Sequence, residues 1–169
     1  MICAQCGEQT NVKPCNSCGK SPLLVDKYVL LSILGEGAVG VTYKANHVST
    51  GNFVAIKEML LRVKDIDKAR ELMQREVDTL RQLQSDSIPS YVDHFIDGSG
   101  KHRALYLVQE FISGHNLLHE LGQKNYTPDE VCGVLEQIFD ILIYLHGFHP
   151  HIIHRDIKPS NIIRSEGKL

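Results

Sequence analysis

Residues 28–34 form an apolar, strand-like run, and Val41-Thr42-Tyr43-Lys44-Ala45 reads as the return strand after a glycine-bearing loop. Ser49-Thr50-Gly51-Asn52 is a turn, and residues 53–57 read as a third strand. From about residue 65 to 84 the apolar period lengthens to that of a helix, with Ala69, Met73, Val77 and Leu80 on one stripe. Two further strands are predicted over 91–96 and 104–111, joined through Asp97-Gly98-Ser99-Gly100. A short helix is predicted over 116–121. A longer one starts at Thr127, with Pro128 at its first position and Glu130 completing a capping box. Val131, Val134, Leu135, Ile138, Leu142 and Leu145 are expected to be its buried face. The order is five antiparallel strands with one helix between the third and fourth, then a helical segment: an α+β arrangement.

The chain of 169 residues can bury one ordinary core with a small appendage. A net charge of -2 gives no sign of a nucleic-acid partner. No apolar run is long enough for a membrane span. The opening Met1-Ile2-Cys3-Ala4-Gln5-Cys6 has neither a basic start nor an apolar stretch, so no signal peptide is expected and the cytoplasm is the expected location.

Four of the five cysteines lie in the first eighteen residues. Cys3-Ala4-Gln5-Cys6-Gly7 and Cys15-Asn16-Ser17-Cys18-Gly19 are two C-x-x-C-G units. The spacing lets both thiolates of one turn reach one ion, and the glycine can take the positive φ that closes the turn. Cys3, Cys6, Cys15 and Cys18 together suit a structural Zn²⁺, which would be the main source of order in so short a segment. A redox dithiol, disulfides and a rubredoxin-like iron site are the alternatives. The first lacks a βαβ context, and the second fits a cytosolic chain poorly. Residues 1–22 are therefore read as a zinc-ribbon-like head. The boundary is expected at Ser21-Pro22, and the head's core is expected to be separate from that of residues 28–169. Cys132 reads as a small buried hydrophobe in its helix.

Gly35-Glu36-Gly37-Ala38-Val39-Gly40 is a G-x-G-x-x-G that leads into a strand and not into the helix a dinucleotide fold needs. Its glycines let backbone N–H groups approach phosphate, although an ordinary hairpin would carry the same residues. Ala55 and Lys57 share one face of the third strand. Val41 is expected on that face as well, giving an apolar surface for a base beside a charge for phosphate. Glu76 falls on the apolar stripe of its helix and needs a partner there. Lys57 is one candidate; solvent, Arg75 or Arg81 are the others.

His154-Arg155-Asp156-Ile157-Lys158-Pro159-Ser160-Asn161 carries a proton acceptor, a cation and a metal-binding amide within eight residues. With this loop, the glycine loop running into Val41, Val54-Ala55-Ile56-Lys57 and a helix Glu in order, residues 28–169 resemble the eukaryotic-type Ser/Thr protein kinases. With its cysteine head, the chain is similar to the cyanobacterial "four-Cys" kinases of bacterial signalling. The resemblance implies a kinase N-lobe and the start of a helical C-lobe. It also implies ATP and Mg²⁺ as cofactors, and a protein Ser or Thr hydroxyl as acceptor. Gly35, Gly37 and Gly40 would cover the phosphates, and Val41 and Ala55 would roof the adenine. Lys57, held by Glu76, would contact the α- and β-phosphates. Gln109 would be the gatekeeper, and Glu110 and Ile112 the hinge. Asn116 would meet the ribose and Ile163 would form the floor. Asp156 would be the base, Lys158 would offset phosphate charge, and Asn161 would bind Mg²⁺.

Residues 1–169 contain no D-F-G and no A-P-E. The chain therefore reads as a kinase fragment, truncated or degenerate, not competent by itself. The alternative is a non-catalytic module that uses the head and a kinase-like lobe to bind a partner. His146, His149, His151 and His154 read as loop residues and not as a metal site.

Overall fold

In a computed structural model of the chain, residues 1–37, 40–61, 66–98, 103–165 and 169 are described. The tip of the glycine loop (Ala38, Val39), the expected helix start near Asp65, the side chain of Ala69 and the Ser99-Gly100 part of the turn lie outside them.

β1 (Tyr28–Gly37), β2 (Gly40–His47), β3 (Phe53–Leu60), β4 (Tyr91–Asp97) and β5 (Ala104–Glu110) form one antiparallel sheet in the order β1-β2-β3-β5-β4. Helix α1 (Ile66–Gln82) connects β3 to β4. These are the elements the alternation predicted, with β1 extended through the first two loop glycines.

The register divides the sheet into two faces, because directly paired residues point the same way. On one face Ala45 opposes Val54, Ile56 opposes Val108, and Glu58 opposes Tyr106. Ala45, Val54, Ile56 and Val108 are buried there with Tyr28, Leu30, Ala104 and Tyr106. On the other, Met59 opposes Leu105 and Lys57 opposes Leu107. Met73 and Val77 of α1 bury against Leu105 and Leu107, with Leu80 packed beside them, which realises the predicted helical stripe from Met73 onward.

The sheet is curled. β1 and β4 stand at opposite ends of the strand order, yet the Tyr28 ring stacks on Phe95 at 6.0 Å, and Phe95 stacks on Tyr106 at 5.2 Å. Asp93 ties the two edges, accepting from Lys27 Nζ at 3.2 Å and from the Tyr28 hydroxyl at 3.3 Å. Burial, and then Asp93, push the Tyr28 phenol up to about 12. Glu58 sits between two more phenols, accepting from Tyr43 and Tyr106 at 3.0 Å each. The partly buried carboxylate is thereby satisfied.

The head does not keep a separate core. Ile2 and Leu24 belong to the same buried cluster as Leu30, Ala45, Val54 and Ile56. The Ile2 amide donates to the Leu30 carbonyl at 2.7 Å, so Ile2 pairs along the outer edge of β1. A segment with two metal-type turns has few apolar residues of its own, and the sheet buries them more completely than the head can alone.

Met1–Gln84 and Pro89–Phe111 make up one compact unit, and Ser85–Ile88 and Ile112–Leu169 a second. In the second unit, β6 (His115–Asn116) pairs with β7 (Ile163–Arg164), and α2 (Leu117–Leu121) starts at the Asn116 cap. The capping box predicted for α3 (Pro128–His146) is present: Thr127 Oγ1 accepts from the Glu130 amide at 3.3 Å, and Glu130 Oε2 accepts from the Thr127 amide at 2.8 Å. The predicted buried face of α3 is only partly buried. Leu145 is buried, and Val134, Ile138 and Leu142 are half-buried. Val131 and Leu135 are exposed and continue through Phe139 and Ile143 as an open apolar line. Cys132 is exposed beside that line and is not a core residue. Periodicity shows that a helix has an apolar face but not what lies against it.

Candidate functional site

In the first unit the sheet face that carries α1 also carries Ala55, Lys57 and Gln109, since Gln109 opposes Ala55. Thr42 opposes Lys57 and Lys44 opposes Ala55, so Thr42 and Lys44 share this face. Val41 does not. It opposes Glu58 and points to the side of Tyr43, away from Lys57. The expectation for Val41 is corrected for a simple reason: β2 has period two, and Val41 is one residue out of phase with Ala55. The familiar G-x-G-x-x-G-x-V spacing puts its valine two residues after the third glycine. Here that position is Thr42, and counting from Gly40 would have found it.

Glycine is required at Gly40 because β3 passes close by: a Cβ there would stand 1.8 Å from the Glu58 carbonyl oxygen. At Gly35 and Gly37 a Cβ would meet nothing within 4 Å. The protein's own packing therefore does not demand those two glycines.

Lys57 is exposed on its face, and Glu76 is exposed on α1. Among the described residues no ion pair joins them. Val77 and Met73 take the centre of the helix stripe, and Glu76 stands at its edge, where water can solvate the carboxylate. The Glu110 amide donates to the Ser90 carbonyl at 2.9 Å, so any bond from Glu110 to a base would come from its carbonyl.

The catalytic-loop residues lie in the second unit. The Asp156 carboxylate receives Lys158 Nζ at 2.9 Å and Asn161 Nδ2 at 2.8 Å. Asn161 Nδ2 also reaches the Asp156 carbonyl at 2.9 Å. The short helical turn Pro159–Asn161 brings Asn161 back to Asp156. The Lys158 ammonium first, then the Asn161 amide, hold the Asp156 carboxyl below the ordinary range, so it is ionised at neutral pH. With its nitrogen committed to Asp156, Asn161 presents its oxygen as the remaining acceptor, the atom type a Mg²⁺ takes. Asn116 and Ile163 are paired across β6 and β7. Asn116 Oδ1 is occupied as the α2 cap, accepting from the His119 amide at 2.8 Å. Glycine is required at Gly114 because β7 passes close by: a Cβ there would lie 2.1 Å from the Arg164 carbonyl oxygen. Ile112 opens the longer of the unit's two stretches.

In the head, the Gly7 amide donates to the Cys3 carbonyl at 2.9 Å, and the Gly19 amide to the Cys15 carbonyl at 2.8 Å. Both glycines have positive φ, 77° and 70°. The two turns are thus alike, and they bring all four sulfurs within 4.8 Å of one another. Cys3 and Cys18 Sγ are 3.7 Å apart, and Cys6 and Cys15 Sγ are 3.8 Å apart. Four sulfurs at Zn–S distances of about 2.3 Å in a tetrahedron stand about 3.8 Å from each other. The set fits a tetrahedral ion, and the distances are far beyond a disulfide bond of about 2 Å. Amide donors of Cys18 and Ser17 draw the Cys15 thiol down to about 6. The Glu8 amide draws Cys6 the same way, but desolvation and the neighbouring cysteines outweigh it and push that thiol up to about 12. Among the described residues no other His, Cys, Asp or Glu group comes together in this way, and the histidines at 146–154 form no such cluster.

Comparison with known proteins decides the family. The protein kinase domain matches residues 28–169. The chain belongs to the protein kinase family. It is 36% identical over 164 residues to serine/threonine-protein kinase B of Synechocystis sp., covering 92% of this chain and 27% of that protein. It is 35% identical over 171 residues to serine/threonine-protein kinase F of the same organism, covering 92% and 34%. Cyclin-dependent kinase-like 1 of Caenorhabditis elegans is 36% identical over 139 residues, covering 82% and 37%. By family the chain is a serine/threonine kinase, and it spans about a third of the length of these relatives. The coverage by the two Synechocystis kinases exceeds the share of the chain from Tyr28 onward, so their similarity reaches into the head. Among the described residues, no helix of this kinase chain is long and apolar enough to cross a membrane.

Proposed function

We propose that this chain supplies the nucleotide-binding and catalytic-loop residues of a cytoplasmic kinase that transfers the γ-phosphoryl group of MgATP to protein Ser or Thr hydroxyls. The observation that carries the reading is the Asp156–Lys158–Asn161 cluster: an ionised carboxylate that accepts from an ammonium at 2.9 Å and from an amide nitrogen at 2.8 Å, which leaves the amide oxygen as a ligand for a metal. Asp156 receives the proton of the acceptor hydroxyl, Lys158 offsets phosphate charge, and Asn161 holds Mg²⁺. The metal, when bound, neutralises charge on the phosphates. Gly35, Gly37 and Gly40 cover the phosphates. Lys57 binds the α- and β-phosphates, with Glu76 drawn to it when nucleotide is present. Ala55 and Thr42 roof the base, with Thr42 in the place expected of Val41. Glu110 and Ile112 meet the base edge, Asn116 the ribose, and Ile163 the floor. Cys3, Cys6, Cys15 and Cys18 hold one structural Zn²⁺.

Residues 1–169 alone are expected to bind MgATP weakly and to transfer no phosphate. The second principal Mg²⁺ ligand and the peptide platform of the family do not lie within them. The test measures binding of a fluorescent ATP analogue and phosphate transfer to casein. It uses residues 1–169 and any longer product of the same reading frame. Lys57→Met should weaken binding in both, and Asp156→Ala should abolish transfer by the longer form. Robust, Asp156-dependent turnover by residues 1–169 would overturn the account of what they lack. A longer form that binds nucleotide without transfer would favour a non-catalytic interaction module.

A further inference from the structure

The head meets the sheet's core through Ile2 and Ala4, the two residues that flank Cys3. Ile2 adjoins Cys3. Its amide donates to the Leu30 carbonyl at 2.7 Å, and its side chain is buried in the core that Leu30, Ala45 and Val54 form. The next amide but one, that of Ala4, donates to the Pro22 carbonyl at 3.0 Å, and Leu24 follows Pro22 into the same core. Cys3 itself is buried, as is Cys15. The neighbours on either side of Cys3 are therefore held by the first unit's core, and β1 leads from Leu30 to Gly35 and Gly37 as one strand, with register shifts between Leu30 and Ser32 and between Ile33 and Gly35.

We propose that the head is a metal-dependent clasp on the curled sheet: an ion bound by Cys3, Cys6, Cys15 and Cys18 fixes Ile2 and Leu24 in the core, and so sets the order of the strand that delivers the glycine loop. The proposal rests on the reading of the four cysteines as a metal site. Metal and docking are then linked in both directions. Without metal, the turn holding Cys3 is closed by backbone bonds alone: the Cys3 amide to the Glu8 carbonyl, the Gly7 amide to the Cys3 carbonyl, and Met1 paired with Thr10 in both directions. So short a segment has little else to offset its conformational entropy, and the Ile2 contact loosens with the turn. Conversely, a sheet that holds Ile2 in place pre-forms one corner of the metal site, so docking raises metal affinity by the same factor that metal raises docking.

The test uses residues 1–169 with Zn²⁺, after stripping by a chelator, and as an Ile2→Asp variant that keeps all four cysteines. Elemental analysis gives the metal content. Hydrogen exchange read by mass spectrometry follows peptides spanning Tyr28–Gly37, and a chelating dye competes for the ion. In the native chain Zn²⁺ should slow exchange of β1 at least tenfold. Ile2→Asp should bind Zn²⁺ at least tenfold more weakly, and its β1 should respond to the ion much less. If the chain takes up no metal, both the clasp and the metal reading are overturned. If it takes up one ion per chain but β1 exchange is the same before and after stripping, the metal reading stands and the clasp is overturned. The clasp also fails if Ile2→Asp matches the native chain in dye competition and in exchange. Should Ile2→Asp not fold, Ile2→Ala serves in its place, with the same directions and smaller factors.

Discussion

The two units of the molecule use apolar residues in opposite ways. In the first, the alternating strands bury Ala45, Ile56, Ala104, Val108 and the helix residue Val77 completely, and polar atoms under the curl are paired. In the second, α3 is nearly as apolar, yet Val131, Leu135, Phe139 and Ile143 stand in solvent, Ile143 at 70% exposure. The first unit is held by its interior. The second is held by ends and loops: a capping box, the Asn116 cap, and the Glu120 carboxylate shared by Arg164 and Tyr126. Hydrophobic pattern is therefore a good guide to stability in the first unit and a poor one in the second, where local polar bonds carry the geometry of the catalytic loop.

The contrast can be broken most severely at Ile56. Ile56→Ala should destabilise the first unit by about 2–5 kcal/mol, the range for emptying a fully packed site, as measured by denaturant unfolding followed in near-ultraviolet circular dichroism. A cost below 1 kcal/mol would mean that the core is not as tightly filled as its burial implies.

Glu58→Leu comes next. It leaves the Tyr43 and Tyr106 hydroxyls without their acceptor and should cost about 1–3 kcal/mol. Burial, and then the Glu58 carboxylate, hold the Tyr43 phenol up to about 12. Glu58→Gln should therefore lower its midpoint in an absorbance titration, and an unchanged midpoint would remove Glu58 from the explanation.

In the second unit the largest single effect should come from the α3 cap. Thr127→Ala should cost about 1 kcal/mol of local stability, read as faster exchange in the first turn. The Thr127 backbone amide, and then Lys124, hold the Glu130 carboxyl down at about 2. Its folded value lies below its unfolded one, so its contribution is fully present above the ordinary glutamate value. It is lost as pH falls from there through about 2. Glu130→Gln should flatten that acid-side loss of first-turn protection.

Phe139→Ser should be the mildest change, within about 0.5 kcal/mol of neutral, because more than half of the side chain is already in solvent, at 57% exposure. It should still reduce self-association in light scattering, since it interrupts the open apolar line. A large loss of stability would show that the line is covered after all.

Much of the molecule was legible in the sequence, for identifiable reasons. Strand alternation, the α1 stripe and the Thr127 box are local signals, and each appears where it was expected. The paired C-x-x-C-G turns foretold the positive φ of Gly7 and Gly19 and the meeting of four sulfurs. Asp156 and Asn161 stand five positions apart, so their contact is a local one. The phase of Val41 was mistaken by one residue, and counting strand period from Gly40 would have placed Thr42 instead. Three features were not legible. The docking of Ile2 on Leu30 joins segments whose sequences give no sign of each other. The curl that brings Tyr28 to Phe95 depends on sheet twist, which no single strand encodes. The exposure of Glu76 and of the α3 line depends on what surrounds each helix.

The stack of Tyr28, Phe95 and Tyr106 gives the chain an optical signature. There is no tryptophan among the 169 residues, so ultraviolet emission belongs to the six tyrosines. Three of them donate to carboxylates under or beside the curl, Tyr28 to Asp93 and Tyr43 and Tyr106 to Glu58. A phenol bonded to a carboxylate is quenched, and it brightens when the bond opens. Intrinsic tyrosine fluorescence should therefore rise when the first unit melts, with a smaller contribution from Tyr126, which is bonded to Glu120 in the second unit. A tryptophan placed by Phe139→Trp on the open line would add a second colour that follows α3 alone.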